Sequence, residues 1–271
     1  MASHYSITDR LGRVAVSVVL AFTFLFLVLP LAATLMISFD PRAYLAYLPL
    51  PGFSLRWYQS FLESPRFMDG LRISLLIGGI AAMTSTIVAI FASYSMVRYD
   101  FKGKETLNTI FLSPMIDPEV VTGFALLGFL TILGLRASFV KLLIGHIIIV
   151  LPYAIRTVSA TLVGFDRSLE EAALNLRATP VQTFLKVTLP LIKPGVIAAV
   201  VFAFATSLDD VAVSIFLVDP FTTTLPVALF AYMKAKFDPT VAAASILLTG
   251  FTFGFILALE KTLGLDRFAG I

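Results

Sequence analysis

The sequence contains no cysteine, and only two of its 271 residues are histidine. These shortages exclude disulfide bonds and Cys-based metal sites, and they argue against a multi-histidine metal site. Charged side chains make up only 14% of the chain, whereas an average soluble domain is about a quarter charged. No stretch combines basic and aromatic residues as nucleic-acid-binding surfaces do. We therefore expect no nucleic-acid partner and, because cysteine and histidine are scarce, no metal site.

Apolar residues are abundant instead. They form 58% of the chain, and the mean hydropathy is +0.94. Long runs are apolar on every side, which is typical of helices surrounded by lipid. The sequence therefore predicts an all-α polytopic membrane protein with six transmembrane helices, at residues 14–37, 70–97, 105–133, 138–163, 195–218 and 240–261.

The first apolar run, Val14 to Ile37, follows two arginines. It is longer than the apolar core of a signal peptide, which has about 7–15 residues, so we expect a retained transmembrane helix. A cleaved signal is the alternative, supported by the small residues around Ala32. In the third run, Pro114 and Pro118 predict a broken helix.

The distribution of lysine and arginine predicts that both termini are cytoplasmic. The short loop RYDFKGK, residues 98–104, carries Arg98, Lys102 and Lys104 and is the strongest single indication. The loop 39–69 then lies outside and contains the only tryptophan, Trp57. We expect an ordered loop at the membrane interface, and contact with a receptor is the other possibility.

A polar loop at residues 166–195 separates the fourth and fifth runs. Ser168 and Glu171 have the spacing of a capping box, which predicts the start of a short helix. Thr179 and Gln182 form a second box, and Pro180 suits the first helical position. We therefore predict two short helices that meet at a corner, the second ending at Pro190 and Pro194.

Apolar residues recur on one side of each short helix: Leu169, Ala172, Ala173 and Leu176 on the first, and Val181, Phe184 and Leu185 on the second. An amphipathic pair of helices lying on the membrane surface would also show this pattern.

The motif EAA followed by VTLP-x-x-x-PG resembles the EAA loop of inner-membrane permeases of bacterial ABC importers, the MetI-like family. The matching residues are Glu171, Ala172, Ala173, Ala178, Phe184, Leu189, Pro190, Pro194 and Gly195. The resemblance covers residues 65–265, with residues 1–64 as a separate N-terminal tail, first helix and outer loop. Where the family usually has glycine, this chain has Arg177, which must either take a left-handed conformation or build the corner differently.

The resemblance implies that the first loop helix is a coupling helix that docks on a cytoplasmic ATPase. It further implies a second, homologous permease subunit, two copies of the ATPase, a periplasmic substrate-binding protein and a bacterial inner-membrane location. The permease itself would be no enzyme and would bind no cofactor, because ATP and magnesium belong to the ATPase. The absence of a G-x-x-x-x-G-K-[ST] loop agrees with that expectation.

Acidic residues lie inside two of the apolar runs, Asp117 and Glu119 in the third and Asp209 and Asp210 in the fifth. Charges at such positions usually face a cavity or a partner. We interpret these four and Tyr153 as candidates for a substrate path. Asp209 and Asp210 point about 100° apart on a helix, so we expect one to face the path and the other to pair with a base or a helix N-terminus. Ion pairs with Arg156 are the structural alternative.

Residues 207–245, beginning SLDDVAVSIF, resemble the polyamine branch of the family, close to the C-type permease of spermidine and putrescine importers. Amino-acid-like compounds, opines and aminophosphonates are alternative substrates, because related permeases resemble the chain too. An intramembrane enzyme is a different class, yet no H-E-x-x-H or G-x-S-x-G motif supports it. We expect His146 to be a packed, hydrogen-bonded histidine, and we find no filter-like repeat of an ion channel.

Overall fold

The computed structural model describes residues 7–44, 51–236 and 238–263. Within those ranges the regular structure is entirely helical, which confirms the all-α prediction. The α-helices are α1 (Ile7–Ser38), α2 (Arg56–Leu62), α3 (Pro65–Arg98), α4 (Lys104–Leu112), α5 (Glu119–Ile132), α6 (Ser138–Val163), α7 (Ser168–Asn175), α8 (Pro180–Thr183), α9 (Leu189–Leu191), α10 (Lys193–Asp209), α11 (Ser214–Leu217), α12 (Leu225–Ala235) and α13 (Thr240–Leu263). A 3₁₀ turn, Ser113–Met115, follows α4, and a π-helix, Phe184–Thr188, joins α8 to α9.

Three helices, α1, α3 and α6, are long and apolar enough to cross a membrane. Two bent pairs raise the number to five if each pair is one span: Lys104–Met115 with Glu119–Ile132, and Pro180–Leu191 with Lys193–Asp209. The predicted sixth span corresponds to α13. The part of α13 that could be tested as a membrane span, Thr240–Phe255, is apolar but shorter than a span requires. The count of six therefore stays a prediction.

The third predicted span is broken where its prolines lie. The chain turns by 105° between α4 and α5, with Pro114 in the 3₁₀ turn and Pro118 just before α5. Proline removes a backbone donor and crowds the preceding turn, so the helix cannot continue. The remaining straight part, α5, has 14 residues and is about 21 Å long, less than the roughly 30 Å of a hydrocarbon core.

The predicted end of the fifth span at residue 218 is wrong. Helix α10 ends at Asp209, and Asp210 takes an extended conformation with φ −67° and ψ 122°. The Asp210 carboxylate accepts hydrogen bonds from the backbone N–H groups of Val213 and Ser214, which begin the turn into α11. A buried carboxylate that satisfies two free donors makes the break stable without proline or glycine.

The described residues fall into two compact units that divide at residues 64/65, 231/232 and 251/252. In the first unit the predicted outer loop is ordered around Trp57, whose indole N–H donates to the Asp40 carbonyl oxygen at 2.6 Å. Arg42 forms a close ion pair with the buried Asp40 carboxylate. The segment 45–50 of this loop lies outside the described residues.

The second unit is built on α3, α6 and α10, which pack against one another. Small residues of α3, including Ala81, Ala82 and Ser85, are buried and allow the helices to approach closely. The Ser85 hydroxyl donates to the Ile147 carbonyl at 3.3 Å, and the Ser93 hydroxyl donates to Ile155 at 3.0 Å. These crossings fix the frame from which the polar loop and the acidic residues project.

Candidate functional site

The polar loop folds as the predicted pair of helical segments. The first is α7. The second is longer than predicted, because α8, the π-helix and α9 run on to Leu191 before a 66° bend into α10. Pro190 does not end this segment: it lies in α9, directly after the π-helix. The break comes at Ile192, and Pro194 lies in the first turn of α10.

The start of α7 differs from its prediction. Ser168 is already helical, and it makes no capping box with Glu171. The Ser168 backbone N–H donates instead to the Asp166 carboxylate at 2.9 Å, which holds the pKa of that carboxyl below its ordinary value. Asp166 therefore accepts a backbone hydrogen bond at the start of α7, in place of the capping box predicted for Ser168.

The start of α8 is the predicted capping box. Gln182 N–H donates to the Thr179 hydroxyl at 3.3 Å, and Thr179 N–H donates to the Gln182 side-chain oxygen at 3.0 Å. Pro180 takes the first helical position, as predicted.

Arg177 forms the corner between the two segments. Its φ is +64°, and within the described residues no other non-glycine residue has a positive φ. The Ala178 N–H donates to the Ala173 carbonyl at 3.1 Å and the Arg177 N–H to Leu174 at 2.9 Å, the pattern of a Schellman helix end. Arg177 therefore occupies the left-handed position that glycine normally takes, which confirms the first of the two possibilities.

The outer side of α7 is not covered by the rest of the described chain. Leu169, Ala172 and Leu176 are exposed, and Leu176 is 85% exposed. Glu171 also points outward, with a 62% exposed side chain 3.4 Å from Arg167. The predicted apolar face is thus present but has nothing against it in this chain.

Leu189 and Gly195, later in the motif, face inward instead, whereas Pro190 is exposed. Leu189 packs against the apolar cluster around Leu162 and Ile192. Gly195 approaches Thr161 of α6 so closely that a Cβ atom would overlap the threonine hydroxyl. This half of the motif shapes the junction of the loop with α6 and α10.

Three of the predicted acidic residues line one cavity. Glu119 at the start of α5 and Asp209 and Asp210 at the end of α10 surround a volume of 530 Å³, together with Ile149, Thr206 and short apolar residues. Asp209 is exposed, whereas the Asp210 side chain is buried. A cationic group in this cavity would lie directly beside carboxylates.

Asp210 has a structural role as well. Besides two backbone donors it accepts the Ser214 hydroxyl at 2.6 Å. The buried His146 ring lies between the hydroxyls of Ser207 (2.6 Å) and Ser214 (2.9 Å), which confirms a packed, hydrogen-bonded histidine. Asp210 is therefore the acidic residue that binds the N-terminus of a helix, α11, whereas the Asp209 side chain stays exposed.

Asp117 and Tyr153 are not brought to this cavity. Asp117 lines a separate groove of 370 Å³ with Ser113, Pro114 and Thr122. Tyr153 is half-buried on α6 and lines neither volume. In the part of the chain that the structure describes, Arg156 is exposed and forms no salt bridge, so the alternative of ion pairs with Arg156 is not supported.

The sequence of this chain matches the family described as "Binding-protein-dependent transport system inner membrane component" over residues 6–259. The chain belongs to this family. It is accordingly a multi-pass membrane protein and a permease component of a transport system, as the resemblance of its polar loop implied.

Curated relatives support the same class. The "Putrescine transport system permease protein PotI" of Escherichia coli K12 is 30% identical over 240 residues, covering 86% of this chain and 85% of its own. The "Spermidine/putrescine transport system permease protein PotC" of Haemophilus influenzae is 31% identical over 223 residues, covering 82% and 86%. The "Putative 2-aminoethylphosphonate transport system permease protein PhnV" of Salmonella paratyphi A is 28% identical, covering 92% and 94%.

Solved structures share the fold of the family. A bacterial alginate ABC transporter in complex with an alginate pentasaccharide-bound periplasmic protein contains a chain with TM-score 0.71 and 17% identity, covering 94% of both chains. An amino acid ABC transporter crystallised with histidines contains a chain with TM-score 0.55 and 18% identity, covering 79% of this chain.

Proposed function

We propose that this permease is half of the translocation pore of an ATP-driven importer for a polyamine or a related small cation. Its partners are a second, homologous permease, two copies of a cytoplasmic ATPase and a periplasmic substrate-binding protein. The ATPase binds ATP and magnesium, and this chain is not an enzyme. Both termini are cytoplasmic in a bacterial inner membrane.

The uncovered side of α7 supports docking on the ATPase. An exposed strip of leucine and alanine beside the exposed Glu171 is the kind of amphipathic surface that a groove on another protein covers. Arg177 places a positive charge at the end of this surface, where the loop turns. We infer that Glu171, Ala172, Arg177 and Ala178 face the ATPase, whereas Leu189, Pro194 and Gly195 hold the loop on the membrane helices.

The second permease is supported by α5. This helix carries large apolar side chains on its outside, among them Val120, Val121 and Phe124, and only two of its residues are buried. Its length is too short to face lipid across a whole bilayer. A homologous subunit packed along α5 would cover this surface and complete the pore.

The acidic cavity is the observation that supports a polyamine as the substrate. Glu119 and Asp209 give it two exposed carboxylates, the buried Asp210 adds a third negative charge beside them, and no lining residue has a basic side chain. Polyamines carry two or more ammonium groups, which a lining of this charge attracts. The names of the PotI and PotC relatives agree with this choice.

An aminophosphonate is the second candidate, because the PhnV relative matches nearly the whole chain. A phosphonate group carries negative charge and would be repelled by the three carboxylates. The cavity therefore favours a polyamine over this alternative.

Uptake by the reconstituted importer tests the proposal. The complete complex in vesicles is expected to accumulate labelled putrescine or spermidine, and not 2-aminoethylphosphonate, when ATP is supplied. Asp209→Asn and Glu119→Gln should each lower uptake about tenfold, because each removes one of the charges that attract the ammonium groups. Glu105→Gln is the matched control, because Glu105 is an exposed carboxylate on α4 away from the cavity.

Two results would count against the proposal. Uptake of the phosphonate but of no polyamine would show that the substrate is an aminophosphonate. Unchanged polyamine uptake in both cavity variants would contradict the acidic substrate path but not the importer function.

A further inference from the structure

A buried ion pair fastens the polar loop to the end of α3. The Arg98 Nε atom, in the last turn of α3, lies 2.8 Å from Glu170 Oε2 of α7. Both side chains are almost completely buried, with exposed fractions of 10% and 8%. The other carboxylate oxygen of Glu170 accepts the Thr188 hydroxyl at 2.7 Å, and Thr188 is fully buried.

Glu170 thus joins three parts of the chain that are distant in sequence. Arg98 ends a membrane helix, Glu170 lies in the first loop segment, and Thr188 ends the π-helix of the second. The Arg98 guanidinium also lies over the Phe165 ring at 5.4 Å, just before the loop begins. No other described ion pair connects α7 to a long helix of the second unit.

The neighbouring glutamates of the loop therefore face opposite ways. Glu171 points to the uncovered side, whereas Glu170 points into the protein. A rigid helix of eight residues carries both, so a displacement that reaches α7 from its outer side moves the Glu170 carboxylate as well.

The ion pair has bonding capacity that this conformation does not use. Arg98 Nε and Nη2 are buried and have no hydrogen-bond acceptor with good geometry among the described residues. A guanidinium can hold a carboxylate through two parallel hydrogen bonds. A small rotation of α7 would change how Arg98 holds Glu170, and a buried pair of this kind is sensitive to such changes because little water screens it.

We propose that Glu170 is a positioning residue that transmits movement of α7 to α3 through Arg98, while Thr188 keeps its carboxylate in place. This inference rests on the proposed function, because it presupposes an ATPase that moves the loop. Loss of the link leaves the loop docked on the ATPase but removes the ion pair that joins α7 to the end of α3. ATP hydrolysis then continues with little transport.

The reconstituted importer provides the test. The quantity to measure is the number of substrate molecules taken up per ATP hydrolysed, alongside ATP hydrolysis and complex assembly. Glu170→Gln is expected to keep assembly and hydrolysis while lowering this ratio about tenfold, within the usual range of coupling between sites. Lys104→Gln is the matched control, since Lys104 forms an exposed ion pair with Asp100 near Arg98.

Two further variants separate transmission from simple stability. Exchanging the charges, with Arg98→Glu and Glu170→Arg together, should restore part of the ratio that each single change loses. Thr188→Val keeps the shape and the ion pair but removes the hydroxyl, and we expect it to lower the ratio about tenfold, the effect of one lost hydrogen bond to a charged group.

The outcomes are distinct. A wild-type ratio in Glu170→Gln overturns the inference, and if that variant does not assemble, a wild-type ratio in Thr188→Val overturns it. Hydrolysis without uptake of any amine by the wild-type complex would instead overturn the proposed function.

Discussion

Two residues of the polar loop are constrained by a single carbon atom, the Cβ. Arg177 has a Cβ in a left-handed conformation where glycine is usual, and Gly195 lacks one because Thr161 occupies the space. The strain at Arg177 was predictable, since the motif spacing places a helix corner there. The need for glycine at 195 was not, because it depends on a neighbour 34 positions earlier in the sequence that only tertiary packing brings close.

Replacing Arg177 with glycine should stabilise the chain. A non-glycine residue in this conformation costs roughly 1–2 kcal/mol, which exceeds the entropy that glycine loses on folding, so we expect a gain of about 1 kcal/mol. Thermal unfolding of the detergent-solubilised protein measures it. Asn175→Gly, at an ordinary position of α7, is the control and should lose about 0.3 kcal/mol. Equal effects of the two changes would contradict the prediction.

The side chain of Arg177 is tested separately. Arg177→Ala keeps the left-handed strain but removes the guanidinium, and we expect weaker coupling of ATP hydrolysis to transport if that group reaches the ATPase. Unchanged coupling in the reconstituted importer would show that the guanidinium makes no such contact.

Gly195→Ala should destabilise the junction of α10 with α6. The added methyl overlaps Thr161, and overpacking of a tight crossing costs about 1–3 kcal/mol. Chemical denaturation of the purified chain measures the loss, and Gly79→Ala is the control, because no atom of the described chain lies within 4 Å of a Cβ placed there. A double variant with Thr161→Gly should recover part of the stability, and failure to recover any would argue against the steric cause.

At the scale of whole elements, helices whose limits are set locally were predictable. Helix α6 begins and ends at the predicted residues, and the break of the third span follows from its prolines. Helix α10 was predicted too long, because the acceptor that ends it is a buried aspartate rather than a proline or glycine. Helix α12 was not predicted at all, since its 11 residues are too few for a membrane span.

Asp210→Asn should weaken the fold at the end of α10, whereas Asp209→Asn should not. Asp210 accepts three hydrogen bonds, and losing bonds to a buried carboxylate costs about 1–3 kcal/mol. Asp209 is exposed, and surface changes usually stay within about 0.5 kcal/mol. Unfolding midpoints of the two variants, measured beside polyamine uptake, test this division. A larger loss of stability in Asp209→Asn would contradict it.

For the molecule as a whole, the sequence predicted the class of protein well and the site only in part. The polar loop identifies the transport family by local spacing alone. The acidic cavity requires α5 and α10 to meet, which brings Glu119 beside Asp209 but leaves Asp117, two residues away in sequence, in a separate groove. Spacing along one chain cannot predict that separation, because the bend at Pro118 decides it.

The orientation in the membrane can be measured because the chain has no native cysteine. Single cysteines at Lys102, in the loop before α4, and at Arg136, between α5 and α6, should react with an impermeant thiol reagent from opposite sides. We expect Lys102→Cys to react only from the cytoplasmic side, since the basic loop 98–104 favours that side. Labelling of intact cells and of inside-out vesicles tests this prediction, and the reverse pattern would invert the proposed orientation.

The π-helix at Phe184–Thr188 affects how this loop can be compared and engineered. Thr183 and Thr188 are both buried although they are five positions apart, a repeat that fits five-residue hydrogen bonding and not the 3.6-residue turn. A helical wheel drawn from Pro180 is therefore one residue out of register after Phe184. Cross-linking pairs or chimaeric loops planned on an ordinary α-helix would be placed on the wrong side of the chain from that point onward.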